Sequence, residues 1–230
     1  MNLTSDQKQS VAKSLAAITV DIAEVRFDKI GGLEPTTLEP GPTVEGSKLF
    51  KGRGEFHSRE YYHIGPYMST KEYVLACYDR EICYYSQASH HGIDIDSDLF
   101  TDTSVQDFIV ELQKKKDGLA AADIADEPFA LVHGDFHGRN ILSNGDQVLA
   151  ILDWEFAGSY PLSETLSGGD IDVVEAVSEQ LDEENTVWNR TIRGLIVQEV
   201  TRRGWDQGQI DLLMGDGNPE LGRARGEMFP

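Results

Sequence analysis

The chain has 230 residues, 40% of them hydrophobic, and a formal net charge of −20 from 20 Lys+Arg against 40 Asp+Glu. That length and apolar content suit one large domain or two small ones with a sizeable core, and they exclude a globally disordered chain. The acid excess argues against a nucleic-acid partner, whose phosphates need a basic surface; it fits cationic small molecules, metal ions or simply a solubilising surface.

The cysteines, Cys77 and Cys83, do not make a disulfide framework and read as reduced structural residues, as in a cytoplasmic protein. The opening MNLTSDQKQS is polar and no long apolar run follows it, so neither a secretory signal nor a membrane partner is expected. A first helix follows Thr4, with Gln7 at capping-box spacing and an apolar stripe of Val11, Leu15, Ile18, Ile22 and Val25. Gly31-Gly32 ends this unit. Residues 31 to 68, punctuated by Pro35, Pro40, Pro42 and Pro66, read as an irregular connection of the kind that forms lids or substrate loops. Its His57, Arg59, His63, Tyr61 and Tyr62 can contact a ligand, although packing is the commoner role for such residues.

A second helix starts at Ser69, with Glu72 completing a capping box, and runs to about Tyr85 with a wide tyrosine-rich face. His90-His91-Gly92 interrupts the pattern; neighbouring histidines diverge, so a metal role is not expected there. A third helix begins at Thr103 or Ser104, carries Val105, Phe108, Ile109 and Leu112, and is expected to place Lys114-Lys115-Lys116 in its last turn. FALVH after Pro128 has strand character. Asn144-Gly145 signals a two-residue hairpin that would pair Ser143 with Asp146 and Ile141 with Val148, and would return Asp153 opposite residues 136 to 138. Beyond Gly158, Asp170 or Asp172 can cap a short helix, and Val187, Ile192, Leu195, Ile196 and Val200 mark a longer one ending at Gly204. From Trp205 onward the chain lacks periodicity and reads as an irregular, partly disordered tail.

The chemistry concentrates in Leu131 to Gly158, LVHGDFHGRNILSNGDQVLAILDWEFAG. An aspartate five residues before an asparagine, on a loop leaving a strand, can orient a hydroxyl and accept its proton. Asn140 and Asp153 offer hard oxygens, and Mg²⁺ needs few of these when substrate phosphates supply the rest. H-x-D-x-x-x-x-N, a hairpin and then Asp is the layout of kinase catalytic loops.

HGDFHGRNIL followed by ILDWEFAG resembles the aminoglycoside phosphotransferase and choline kinase-like family, particularly its fungal members; RFDKIGGL and the Gly-Pro before the second helix agree. The resemblance covers about Leu3 to Leu166 and extends toward Gly204. It implies an α+β, mostly helical fold, the C-terminal lobe of a protein-kinase-like fold, over residues 1–204, with 205–230 as the tail. It also implies ATP and Mg²⁺ as cofactors and a small-molecule hydroxyl acceptor. Asp135 matches the family's catalytic aspartate, Asn140 and Asp153 its metal ligands, and His133 a residue that braces the loop. Glu155 occupies a commonly acidic position that can face the acceptor. Trp154 and Phe156 read as core. His137 and Arg139 can each touch phosphate, or brace the loop and face solvent.

The family is two-lobed, with an N-terminal β lobe carrying a nucleotide-covering loop and a phosphate-binding lysine. This chain shows no G-x-G-x-x-G and no lysine in a V-x-I-K setting. The expectation is therefore an ATP-dependent phosphotransferase domain without its N-terminal lobe, whose nucleotide-gripping residues are not identifiable. Its exposed apolar surface would need self-association or a covering partner. The alternative is a catalytically silent pseudokinase or binding module; a metal-dependent hydrolase is a third, weaker reading.

Overall fold

The computed structural model describes residues 3–45, 52–95, 100, 103–166 and 178–228. The architecture is α+β and mostly helical, with small antiparallel sheets. The chain forms two compact units. The first comprises Met1–Phe27 with Pro128–Gly217, the second Asp28–Glu127 with Asn218–Pro230.

In the first unit, α1 (Ser5–Glu24) opens with the expected capping box: the Thr4 hydroxyl accepts the Gln7 N–H, and the Gln7 amide accepts that of Thr4. Its buried face is Val11, Ala12, Leu15, Ala16, Thr19, Val20 and Ala23. The small residues carry as much of that face as the large ones, so Ile18 and Ile22 fall at its margin and Val25 is exposed. This face packs on α4 (Glu179–Arg203), where Ile192, Ile196 and Val200 are fully buried, and Ile210 and Leu213 close the cluster. Val187, expected on that stripe, faces solvent. Gly204 ends α4 at φ 84°, the left-handed cap that glycine adopts without a Cβ clash. The predicted caps Asp170 and Asp172 lie outside the described residues.

Strand β3 (Phe129–Val132) lies antiparallel between β1 (Arg26–Phe27) and β6 (Gly158–Pro161), with Ala130 opposite both Arg26 and Tyr160. The hairpin β4 (Ile141–Asn144) and β5 (Gln147–Ile151) forms a separate two-stranded sheet. Its existence matches the sequence reading, and its register differs. The loop residues are Gly145 and Asp146, with Gly145 at φ 63°, the glycine-first pattern of a type II′ loop. Asn144 therefore pairs with Gln147 and Ser143 with Val148, and an irregularity after Leu142 then sets Leu142 against Ala150 and Ile141 against Ile151.

The second unit holds β2 (Gly31–Gly32), α2 (Thr70–Gln87) and α3 (Val105–Ala121). Ser69 caps α2 by accepting the Glu72 N–H, while Glu72 accepts the N–H of Met68 rather than that of Ser69, so the box is open on one side. The core is aromatic, with Tyr85 meeting Tyr84, Phe100 and Phe108 edge-on at 5.0 to 5.5 Å. The side chain of Arg53 is nearly buried and donates to Glu45 at 2.8 Å and to both oxygens of Glu81 at 2.8 and 3.0 Å; Arg80 also donates to Glu81. The three lysines do not end α3. The helix continues to Ala121, and Lys115 and Lys116 pair with Glu111 and Asp79. Cys77 and Cys83 are unbridged and half-buried.

After Trp205 the described residues form two helices where irregular chain was expected. α5 (Gln207–Met214) starts on an Asp206–Gln209 capping box and ends at Gly215. α6 (Pro219–Glu227) is capped by Asn218, with proline at its first position. Gly215 ends α5 and Pro219 begins α6, the positions that suit each residue. α5 adds Ile210 and Leu213 to the first core, and α6 adds Leu221 and Ala224 to the second. Among the described residues, no helix is long and apolar enough to cross a membrane.

Candidate active site

β3 delivers its last residue, Val132, into His133-Gly134-Asp135, so the strand fixes where the loop begins. His133 is 3% exposed. Its Nδ1 accepts the Asp135 N–H at 3.2 Å, and Nε2 lies 3.0 Å from the carbonyl oxygen of Leu152. The neutral tautomer with the proton on Nε2 satisfies both contacts. Burial lowers the His133 pKa, which keeps the ring in that neutral form despite the opposing pull of the Leu152 carbonyl and nearby carboxylates. Phe136 stacks on one side of the ring and Trp154 tilts against it, with centroids 5.7 and 4.5 Å away. Gly134 sits at φ 81°, and a Cβ there would lie 2.6 Å from the carbonyl oxygen of Phe156. The loop and the segment after the hairpin therefore touch backbone to backbone at this glycine.

Asp135 is held on every side. Arg139 Nη2 donates to its Oδ1 at 2.6 Å and to Oδ2 at 2.8 Å. Asn140 Nδ2 donates to its main-chain oxygen at 2.9 Å and to Oδ2 at 3.0 Å, and His137 Nε2 lies 3.4 Å from Oδ1. Burial alone would push the carboxyl up. The hydrogen bonds from Arg139 and Asn140 and the Arg139 charge outweigh it, and Asp135 titrates below an ordinary aspartate. A short 3-10 turn, Gly138–Asn140, closes the loop, with the Asn140 N–H donating to His137 O.

Asn140 is buried and Asp153 is exposed. The hairpin joins them: the Leu152 N–H donates to Asn140 O at 2.8 Å, which places Asp153 one residue beyond Asn140's partner. The sequence reading set Asp153 opposite residues 136 to 138; the extra residue in β5 carries it nearer Asn140. Asp153 adopts φ 64°, a left-handed conformation rare outside glycine and least unfavourable for Asn and Asp. Glu155 is exposed beside it. Trp154 is not a core residue: it is 40% exposed, with Nε1 donating to Ile151 O at 2.9 Å.

The oxygens of Asn140 and Asp153 are of the hard kind that Mg²⁺ takes. Asn140 uses its amide nitrogen on Asp135, which turns its amide oxygen to other partners, and Asp153 adds a carboxylate. Among the described residues no three His, Cys, Asp or Glu side chains cluster as a metal cage. A site of few protein oxygens completed by substrate phosphates is the usual one for this ion.

The other sequence candidates belong to the second unit. His57 contacts the Tyr62 hydroxyl and the Thr43 carbonyl and is a packing residue of the second unit; His63 lies edge-on against Tyr67 at the surface, and Arg59 is exposed. His91 lies against Phe56. The grip of Arg139 on Asp135 was not singled out by the sequence reading; the signal was their spacing of four residues across a tight turn.

No curated protein and no solved structure matches the chain. Residues 94–166, the stretch that carries β3, the loop, the hairpin and β6, match the family model described as phosphotransferase enzyme family, and this match supports that family.

Proposed function

We propose that the chain is an ATP-dependent phosphotransferase domain of protein-kinase-like ancestry that transfers phosphate to a hydroxyl of a small molecule. The observation that carries the reading is the joining of Asp135, Asn140 and Asp153 by one loop and one hairpin, inside the segment that matches a phosphotransferase family. Asp135 orients the acceptor hydroxyl and takes its proton. Asn140 and Asp153 would hold Mg²⁺, which when bound supplies charge neutralisation for the nucleotide phosphates. His133 is a positioning residue, bracing the loop against Leu152. Glu155, exposed at the same edge, faces the acceptor. A cationic acceptor is compatible with the net charge of −20.

The outer face of the hairpin and the turn after it expose Leu142, Leu149, Leu152 and Trp154. We assign this apolar surface, and the fold as a C-terminal lobe, to a domain covered by another lobe, a partner or a second copy. One observation favours the alternative of a silent binding module: both oxygens of the Asp135 carboxylate are already engaged.

Thermal unfolding with and without Mg²⁺-ATP, for the chain and for Asp153→Asn, tests the reading. Saturable stabilisation that disappears in the variant supports a nucleotide site. No shift at millimolar nucleotide overturns the kinase reading of this chain.

A further inference from the structure

We propose that Arg139 is an oxyanion-binding residue, whose guanidinium takes a phosphoryl or carboxylate group of a substrate in exchange for the carboxylate of Asp135. The inference rests on the phosphotransferase reading and supplies the cationic group which that reading lacks.

The geometry of the pair carries it. Both bonds to Asp135 come from a single nitrogen, Nη2. A guanidinium that fixes a carboxylate does so best with two nitrogens in parallel, one to each oxygen. Here one nitrogen bridges both oxygens, so the Nε and Nη1 donors are not spent on Asp135. The exposures are unequal: the Arg139 side chain is 45% exposed and that of Asp135 12%. The cation therefore forms the solvent side of the pair, and a substrate reaching for Asp135 meets Arg139 first.

Asp135 does not depend on Arg139 for its position. Asn140 holds both its carboxylate and its main-chain oxygen, and His133 holds its N–H. Withdrawing the guanidinium leaves Oδ1 with only the long 3.4 Å His137 contact, open to an acceptor hydroxyl, while the Asn140 contacts keep the carboxylate in place. The exchange swaps one oxyanion partner for another, and an ion pair this open to solvent is weak enough for an incoming phosphate to compete. Asp153 and Glu155 are exposed at the same edge, in a chain with twice as many acidic as basic residues. An anionic group entering there needs a local cation, and Arg139 supplies it. The oxyanion has two possible sources, the phosphate chain of the nucleotide and an acidic group on the acceptor.

The test is an NMR titration of the full chain in magnesium-free buffer, following arginine Nε–Hε resonances, with tripolyphosphate and with orthophosphate. Arg139→Gln assigns the resonance and is the control. A saturable shift of the Arg139 signal at low millimolar ligand, with affinity at least tenfold weaker in Arg139→Gln and partly regained in Arg139→Lys, is expected. Tripolyphosphate binding at least tenfold tighter than orthophosphate assigns the group to the nucleotide; comparable binding of the two assigns it to an acidic acceptor. Equal binding by wild type and Arg139→Gln, or no binding of either ligand by wild type, overturns the proposal. Should Arg139→Gln fail to fold, Arg139→Lys alone decides, since loss of the planar fork must still weaken binding. The Asp153→Asn experiment with Mg²⁺-ATP reports separately on the phosphotransferase reading, so one can fail without the other.

Discussion

His133 and Leu152 are joined across the site: the ring Nε2 lies 3.0 Å from the Leu152 carbonyl oxygen, one residue before Asp153. This contact ties the loop that holds Asp135 to the strand end that presents Asp153, and the ring that makes it is buried. Removing it with His133→Ala leaves the Leu152 carbonyl and the Asp135 N–H without their partner and opens a cavity beside Phe136 and Trp154. The expected loss is about 2–3 kcal/mol of unfolding free energy, read by urea denaturation.

The same histidine makes stability depend on pH. Its folded pKa lies below that of an unfolded histidine, so in the window below about pH 6.5 the unfolded chain binds a proton first. Stability is therefore complete above that pH and falls as pH drops through it. Urea titrations at pH 7.5 and 5.5 should show the loss, and His133→Gln should reduce it. An equal loss in the variant would remove His133 as the cause.

Gly134→Ala puts a Cβ against the Phe156 carbonyl at a left-handed φ. We expect a cost of about 2 kcal/mol and a melting temperature lower by about 4–8 °C, since each kcal/mol is worth about 2–4 °C at this chain length. Differential scanning fluorimetry measures it.

Asp153 carries the opposite expectation. Glycine at φ 64° relieves the left-handed strain and loses more entropy on folding, so Asp153→Gly should leave stability unchanged or raise it by up to about 1 kcal/mol. On the proposed function it should also abolish stabilisation by Mg²⁺-ATP. A residue kept in a strained conformation for its side chain would show this separation of stability from binding.

Arg53→Ala should act on the second unit. It strands Glu81, whose side chain is 3% exposed, without its main cation; Arg80 remains as a partial partner. Breaking a buried pair costs about 3–5 kcal/mol. Hydrogen exchange read by mass spectrometry should show protection lost in α2 and α3.

Much of this was written locally in the chain. The caps of α1, α2 and α4 follow from Thr4, Ser69 and Gly204, and the loop and hairpin from HGDFHGRN and NGD. The register was not, because periodicity does not show whether Asn144 or Gly145 opens the loop, nor that β5 holds an extra residue. The tail was misread because Gly215 and Pro219 have the same composition signal as breakers and as helix ends. Lys114 to Lys116 were placed at a helix end on their charge, but nothing stops α3 before Ala122. The grip of Arg139 on Asp135 depends on side-chain reach within a 3-10 turn, which no pattern of hydrophobicity encodes.

The threading of the chain between its two units bears on how the protein is made. Residues 28–127 leave the first unit after β1 and return at β3, and the second unit is closed by residues after 217. On the ribosome, α1 and β1 are made about a hundred residues before β3 and longer before α4, while α2 and α3 are made before α6. Until Ile192 and Ile196 are made, the Leu15 and Val20 face of α1 is without the helix that buries it.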